Sequence, residues 1–101
     1  MKYNARRTWS ELAQEWFASK AECRRAEELI LLQHAGYITA LEFHRRFTLN
    51  DKPKVSIEVD FVYQENGQII YEDTKGKETR DYRTKRIWAK QLLGIDIRLT
   101  S

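Results

Sequence analysis

Hydrophobic and polar positions alternate with a period of two through the middle of the chain and with a helical period on either side of it. Val55, Ile57, Val59, Phe61 and Tyr63 are interleaved with Ser56, Glu58, Asp60 and Val62, the pattern of a strand with one strongly apolar face from which the acidic residues point away. Asn66-Gly67 follows, the pair best suited to a two-residue type I′ turn because both central positions need positive φ. Counting outward from that turn pairs Glu65 with Gln68, Tyr63 with Ile70, Asp60 with Asp73 and Glu58 with Lys75. Directly opposed residues of an antiparallel pair share a face, so two carboxylates occupy one patch, with Lys75 beside them. Upstream, the even spacing of Leu41, Phe43, Phe47 and Leu49 predicts a further strand with one buried face, and Asn50 to Lys54 makes the turn between them.

Ser19 and Glu22 fit a capping box for a helix reaching Ala35, with Ala26, Leu29, Ile30 and Leu32 as apolar positions and Gly36 as its stop. Thr8 and Glu11 fit the same box. The chain therefore opens either with one helix from about residue 9 to 35 or with a short segment ahead of a helix starting near Ser19, and the second reading is preferred. Glu22 shares a helical stripe with Ala26 and Leu29, which places a carboxylate at the inward face. Asp81 to Leu93 reads as a second helix anchored by Ile87, Trp88, Leu92 and Leu93 and stopped by Gly94, and Ile95 to Leu99 as a last strand. The order is helix, three strands, helix, strand.

At 101 residues, 42% hydrophobic and 33% charged, the chain reads as one domain of an ordinary soluble protein. Its longest apolar run is Leu29 to Leu32 and its first residues carry no signal-peptide h-region, so the expectation is a cytosolic protein with no membrane span. Cys23 is the single cysteine, which excludes an internal disulfide or a Cys-based zinc cluster and suits a small core residue. The net charge of +3 hides an asymmetry: residues 75–90 hold Lys75, Lys77, Arg80, Arg83, Lys85, Arg86 and Lys90 against Glu78 and Asp81, or +5, and the rest stands at −2. A basic segment just downstream of an acidic patch suits a protein that presents a metal to a polyanion, the plainer reading being a solvated helix face.

Like charges placed directly opposite destabilise a sheet, so Asp60 with Asp73 calls for a raised pKa, a nearby Lys or a divalent cation. Mg²⁺ takes a few carboxylates and leaves its other positions to water and phosphate, which this set supplies. Such a cation could activate water and stabilise charge during in-line displacement at phosphorus, with Lys75 orienting the water, deprotonating it or neutralising the phosphate.

The order of a helical Glu22, then Asp60, then Asp73-Thr74-Lys75 on the adjacent strand, followed by a basic helix, resembles the PD-(D/E)XK nuclease superfamily. Ser19-Lys20-Ala21-Glu22, the Leu41 to Leu49 strand, Asp60-Phe61-Val62-Tyr63 and Asp73-Thr74-Lys75-Gly76 are similar to a family of small phage and prophage proteins related to Holliday-junction resolvases. The resemblance implies an α/β, restriction-endonuclease-like αβββαβ core over residues 19–99, with 1–18 as an N-terminal extension. It implies Glu22, Asp60 and Asp73 as metal-site acids for Mg²⁺ or Mn²⁺, Lys75 as the catalytic lysine and Lys85 as a substrate contact. It further implies cleavage of DNA, including branched DNA, in a bacterial host cell. Paired incision of a junction needs two active sites, hence a homodimer. Lys77, Arg80, Arg83, Lys85, Arg86 and Lys90 are the expected nucleic-acid contacts. Val59 stands where the superfamily has its proline, His44 where related proteins often have Gln, and Trp9 to Ala18 looks longer and more helical than in those relatives.

Each assignment has a plainer counterpart. Glu22 could only complete its capping box, Asp60 and Asp73 could form exposed salt links to Lys75 or Arg86, and Glu58 opposite Lys75 reads as a cross-strand ion pair. Glu72 projects to the other face and reads as structural. His34 and His44 lack ligand-like spacing, and Trp9, Trp16 and Trp88 are core or interface residues more often than base-stacking ones. Two rival functions remain: a binding module on the same fold without turnover, and a small factor whose charge pattern serves another protein.

Overall fold

In the computed structural model of the chain, which describes residues 6–100, Asn66 and Gly67 have φ of 53° and 78°, as a type I′ turn requires. The elements are β1 (Thr8–Ser10), β2 (Glu15–Phe17), α1 (Lys20–His34), β3 (Thr39–Asn50), β4 (Val55–Glu65), β5 (Gln68–Thr74), α2 (Arg80–Leu93) and β6 (Ile97–Thr100). After the first hairpin this is the αβββαβ order. The four-stranded sheet runs β3-β4-β5-β6; the first two pairings are antiparallel, and α2 is the crossover that lets β6 lie parallel to β5. The turn sets the expected register, from Glu65 opposite Gln68 through Tyr63 opposite Ile70 to Phe61 opposite Glu72.

Ser19 caps α1, its hydroxyl accepting the Glu22 N–H at 3.1 Å, and Thr79 caps α2 through the Tyr82 N–H at 3.2 Å. Gly94, with φ of 70°, ends α2 in the left-handed conformation that favours glycine. α1 starts directly after Ser19, so the reading with a short segment ahead of it holds and the single helix from about residue 9 to 35 does not; that segment is a strand-turn-strand, not the helical stretch its Thr8 and Glu11 pattern allowed. Trp9 pairs with Trp16 and Ser10 with Glu15. The Ser10 hydroxyl accepts the Ala13 N–H at 3.0 Å and donates to Glu27 at 2.7 Å, while Glu11 takes the Trp9 indole N–H. Burial of Phe17 against α1 and β3 outweighs the weak local preference for helix.

Two apolar clusters flank the sheet. Phe61 and Tyr63 of β4 pack with Phe17, Cys23, Ala26 and Leu29, with Phe43 of β3 against them. Ile57, Val59 and Val62 pack instead with Leu49, Ala89, Ile95 and Ile97, with Phe47 against them. The even spacing along β3 therefore does not mark one buried face: its apolar residues change cluster between Phe43 and Phe47, as those of β4 do between Val59 and Phe61. The crossing point holds His44, with φ of 56°, and Asp60. Asp60 is consequently buried.

α2 also seats itself differently from its sequence pattern. Ala89 is buried and Tyr82 and Trp88 pack beside it, whereas Ile87, Leu92 and Leu93 are exposed. This rotation brings Tyr82 under the C-terminal end of β5.

Candidate active site

The acid pair lies where β4 and β5 part. Beyond Phe61 and Glu72 the strands exchange side-chain bonds: Asp73 Oδ1 accepts the Asp60 N–H at 2.6 Å, and Asp60 Oδ2 accepts the Thr74 N–H at 2.9 Å. Neither bond could form if the turn register slipped by one residue. Asp73 is fully buried and Asp60 is 8% exposed, so the pair is not a set of exposed salt links. Burial first, then the charges of Asp73 and Glu22, push the Asp60 carboxyl up to about 7, against the pull of the Thr74 N–H and Lys75. Asp60 thus sits in a negative field that its surroundings leave partly uncompensated.

Glu22 comes near enough for its charge to act on Asp60, placed by the first turn of α1 and buried on the stripe it shares with Ala26 and Leu29. Its backbone serves the Ser19 cap, but its carboxylate turns to His44 Nε2 at 2.7 Å, while His44 Nδ1 faces Glu15 at 3.8 Å. Burial disfavours the His44 cation, yet the Glu22 hydrogen bond and charge and the charges of Glu58 and Asp60 outweigh it and raise its pKa. In the sequence His44 has no ligand-like spacing to bring it into the site. Its one signal was its strand position, where related proteins often have Gln.

Lys75 follows directly, its N–H bonded to Thr100 at 2.8 Å and its ammonium 4.4 Å above the Tyr82 ring. Tyr82 donates its hydroxyl to Asp73 Oδ2; burial and this bond drive the phenol far above its ordinary pKa. Tyr82 had no sequence signal, since it joins the site only through the docking of α2. Glu58 does not pair with Lys75. Across the other edge of β4 it meets Arg46 at 2.9 Å, because a central strand offers its side chains partners on both sides.

Glu72 is structural, as expected. Fully buried, it takes two bonds from Arg25, at 2.6 and 3.1 Å, and one from Tyr63 at 2.7 Å. Burial would raise its pKa, but these partners bring it below the ordinary value. On α2, Arg83 and Arg86 both reach Glu78, at 3.3 and 2.7 Å, Lys85 reaches Asp81 at 3.7 Å and Lys90 reaches Asp96 at 3.6 Å. These are surface pairs of small worth. Trp9 and Trp16 are exposed at 41% and 50% and stack edge-on at 5.5 Å, with Arg7 over Trp16.

An all-carboxylate donor set suits a hard divalent cation, and the raised pKa of Asp60 is what such a cation would relieve. Asp60 and Asp73 are the carboxylates that could hold one, since each oxygen that accepts one hydrogen bond retains a second lone pair. Among the described residues, no three His, Cys, Asp or Glu side chains come together as a ready metal-binding group, Glu22 being drawn toward His44. Nor does any described helix have the length and apolarity to cross a membrane.

No curated protein and no solved structure matches the chain. A family match does span residues 1–100, and the chain belongs to the family described as "Protein of unknown function (DUF1064)".

Proposed function

We propose that this protein is a metal-dependent nuclease that hydrolyses DNA phosphodiester bonds, as its resemblance to PD-(D/E)XK enzymes implies. The observation that carries the reading is the interlocked Asp60–Asp73 pair at the parting of β4 and β5, with Lys75 beside it. Asp60 and Asp73 would hold Mg²⁺ or Mn²⁺, with Glu22 the third acid. When bound, the cation supplies water activation and charge stabilisation at phosphorus. Lys75 neutralises the scissile phosphate and orients the attacking water, while Lys77, Arg80, Arg83, Lys85, Arg86 and Lys90 hold the flanking backbone. Branched DNA is the proposed substrate form and a homodimer the form that cuts both strands of a junction.

A second reading, a binding module without turnover, draws support from Asp73: Asp60 and Tyr82 already bond both its oxygens. One experiment separates the two. Purified protein is incubated with linear, nicked, flap and four-way-junction DNA in Mg²⁺, Mn²⁺ or EDTA, alongside Asp73→Asn. Cleavage that needs metal and is lost in the variant is the expected result; salt-sensitive binding of every substrate without cutting overturns the nuclease reading in favour of the module.

A further inference from the structure

We infer that Tyr82 is the positioning residue that couples the acid pair to Lys75, its hydroxyl setting the Asp73 carboxylate and its ring seating the lysine ammonium. The inference rests on the metal-site reading of Asp60 and Asp73. Thr79 at the N-cap accepts the Tyr82 N–H, so the residue is anchored in the first turn of α2. From there its hydroxyl reaches Asp73 Oδ2, and its ring face lies 4.4 Å below Lys75 Nζ.

Each contact answers a need that the hairpin alone leaves open. Asp73 receives one bond from within the sheet, the Asp60 N–H on Oδ1. A carboxylate held at one oxygen can still swing about that bond; the phenol fixes the second and leaves a lone pair on each for a cation. Lys75 stands at the end of β5 on a flexible four-carbon stem, and an aromatic face within about 6 Å restrains an ammonium without consuming its donors. The lysine therefore remains able to donate to phosphate or water. Because hydroxyl and ring perform separate tasks, two substitutions divide them: Tyr82→Phe keeps the ring and removes the bond to Asp73, and Tyr82→Leu removes both.

The test uses the full chain and three readouts. Mn²⁺ affinity is measured by titration calorimetry without DNA, the Lys75 seat by the upfield ring-current shift of its side-chain methylene protons, and cleavage at limiting and excess Mn²⁺, with thermal melts to confirm folding. Tyr82→Phe should bind Mn²⁺ roughly 10- to 100-fold more weakly, the usual loss for an outer partner of a metal carboxylate. It should keep the Lys75 shift and regain cleavage in excess Mn²⁺. Tyr82→Leu should show the same affinity loss, lose the Lys75 shift, and stay about tenfold slow in excess Mn²⁺ for want of the seated lysine. Wild-type Mn²⁺ affinity in a folded Tyr82→Phe, no upfield shift in the wild type, or no Mn²⁺ binding at all overturns the inference. If Tyr82→Phe weakens Mn²⁺ and Tyr82→Leu frees Lys75 while no DNA is cut, the coupling stands and the nuclease reading fails.

Discussion

Asp60 carries the most exacting prediction, because its environment sets both a direction and a size. Its carboxyl is pushed up to about 7 in the folded chain from an ordinary 3.8. Between those values the folded state holds a proton that the unfolded state has released, so stability should fall as pH rises through the window. At 1.36 kcal/mol per pH unit for one proton, the loss attributable to Asp60 reaches at most about 4 kcal/mol by pH 7 and then levels off. Asp60→Asn removes the titration but retains an oxygen for the Thr74 N–H. Urea denaturation of both proteins in EDTA from pH 4.5 to 8 therefore isolates the effect. His44 has a raised pKa too, so its stabilisation is complete below the ordinary imidazole value and fades as pH climbs through the raised one. Glu22, the main partner that raises it, is present in both proteins, so most of that fall cancels in the difference. The advantage of the variant should grow steadily toward pH 7, and Mn²⁺ above that pH should stabilise the wild type alone, since a ligand that binds only the folded state adds to its stability. Parallel pH profiles for the two proteins would refute the reasoning, whatever their absolute stabilities.

Asp73→Asn should abolish cleavage while folding survives, because the Asn oxygen can still accept the Asp60 N–H and its amide can bond the Tyr82 oxygen; NMR titration should then find the Asp60 pKa lowered toward the ordinary value. Arg25→Met strands the buried Glu72 carboxylate and should cost roughly 3–5 kcal/mol in urea denaturation at pH 7. Glu72 has a lowered pKa, so its ion pair contributes above the ordinary carboxyl range, and the gap between variant and wild type should narrow as pH falls through the lowered value. Glu22→Gln should release His44 toward an ordinary imidazole pKa, read by NMR, and cost activity that excess Mg²⁺ partly restores; full turnover at limiting Mg²⁺ would confine the site to Asp60, Asp73 and Lys75. Replacing Lys85 and Arg86 together by Ala should weaken DNA binding evenly across sequences and flatten its log–log salt slope by about 2, two phosphate contacts being lost; an effect confined to one sequence would count against phosphate contacts.

The residues alone determined those parts of the protein governed by short-range stereochemistry. Asn66-Gly67 admits a type I′ turn, and that turn carries Asp60 to Asp73 with Lys75 just beyond; Ser19 and Gly94 likewise mark helix ends through a side-chain acceptor and a left-handed φ. Each depends on a few neighbouring residues, so a local pattern suffices to read it. Tertiary packing decided the remainder. Thr8 and Glu11 carry a helix-start pattern, yet burying Phe17 drew the segment into a hairpin. β3 and β4 switch clusters at His44 and Asp60, which undoes the simple alternation and buries Asp60. Glu58 took Arg46 across one edge of β4 where counting from the turn offered Lys75 across the other, and α2 turned Tyr82 and Ala89 inward in place of Ile87, Leu92 and Leu93. Such choices weigh contacts among segments far apart in the chain, and a preference worth a fraction of a kcal/mol per residue yields to the burial of one aromatic ring.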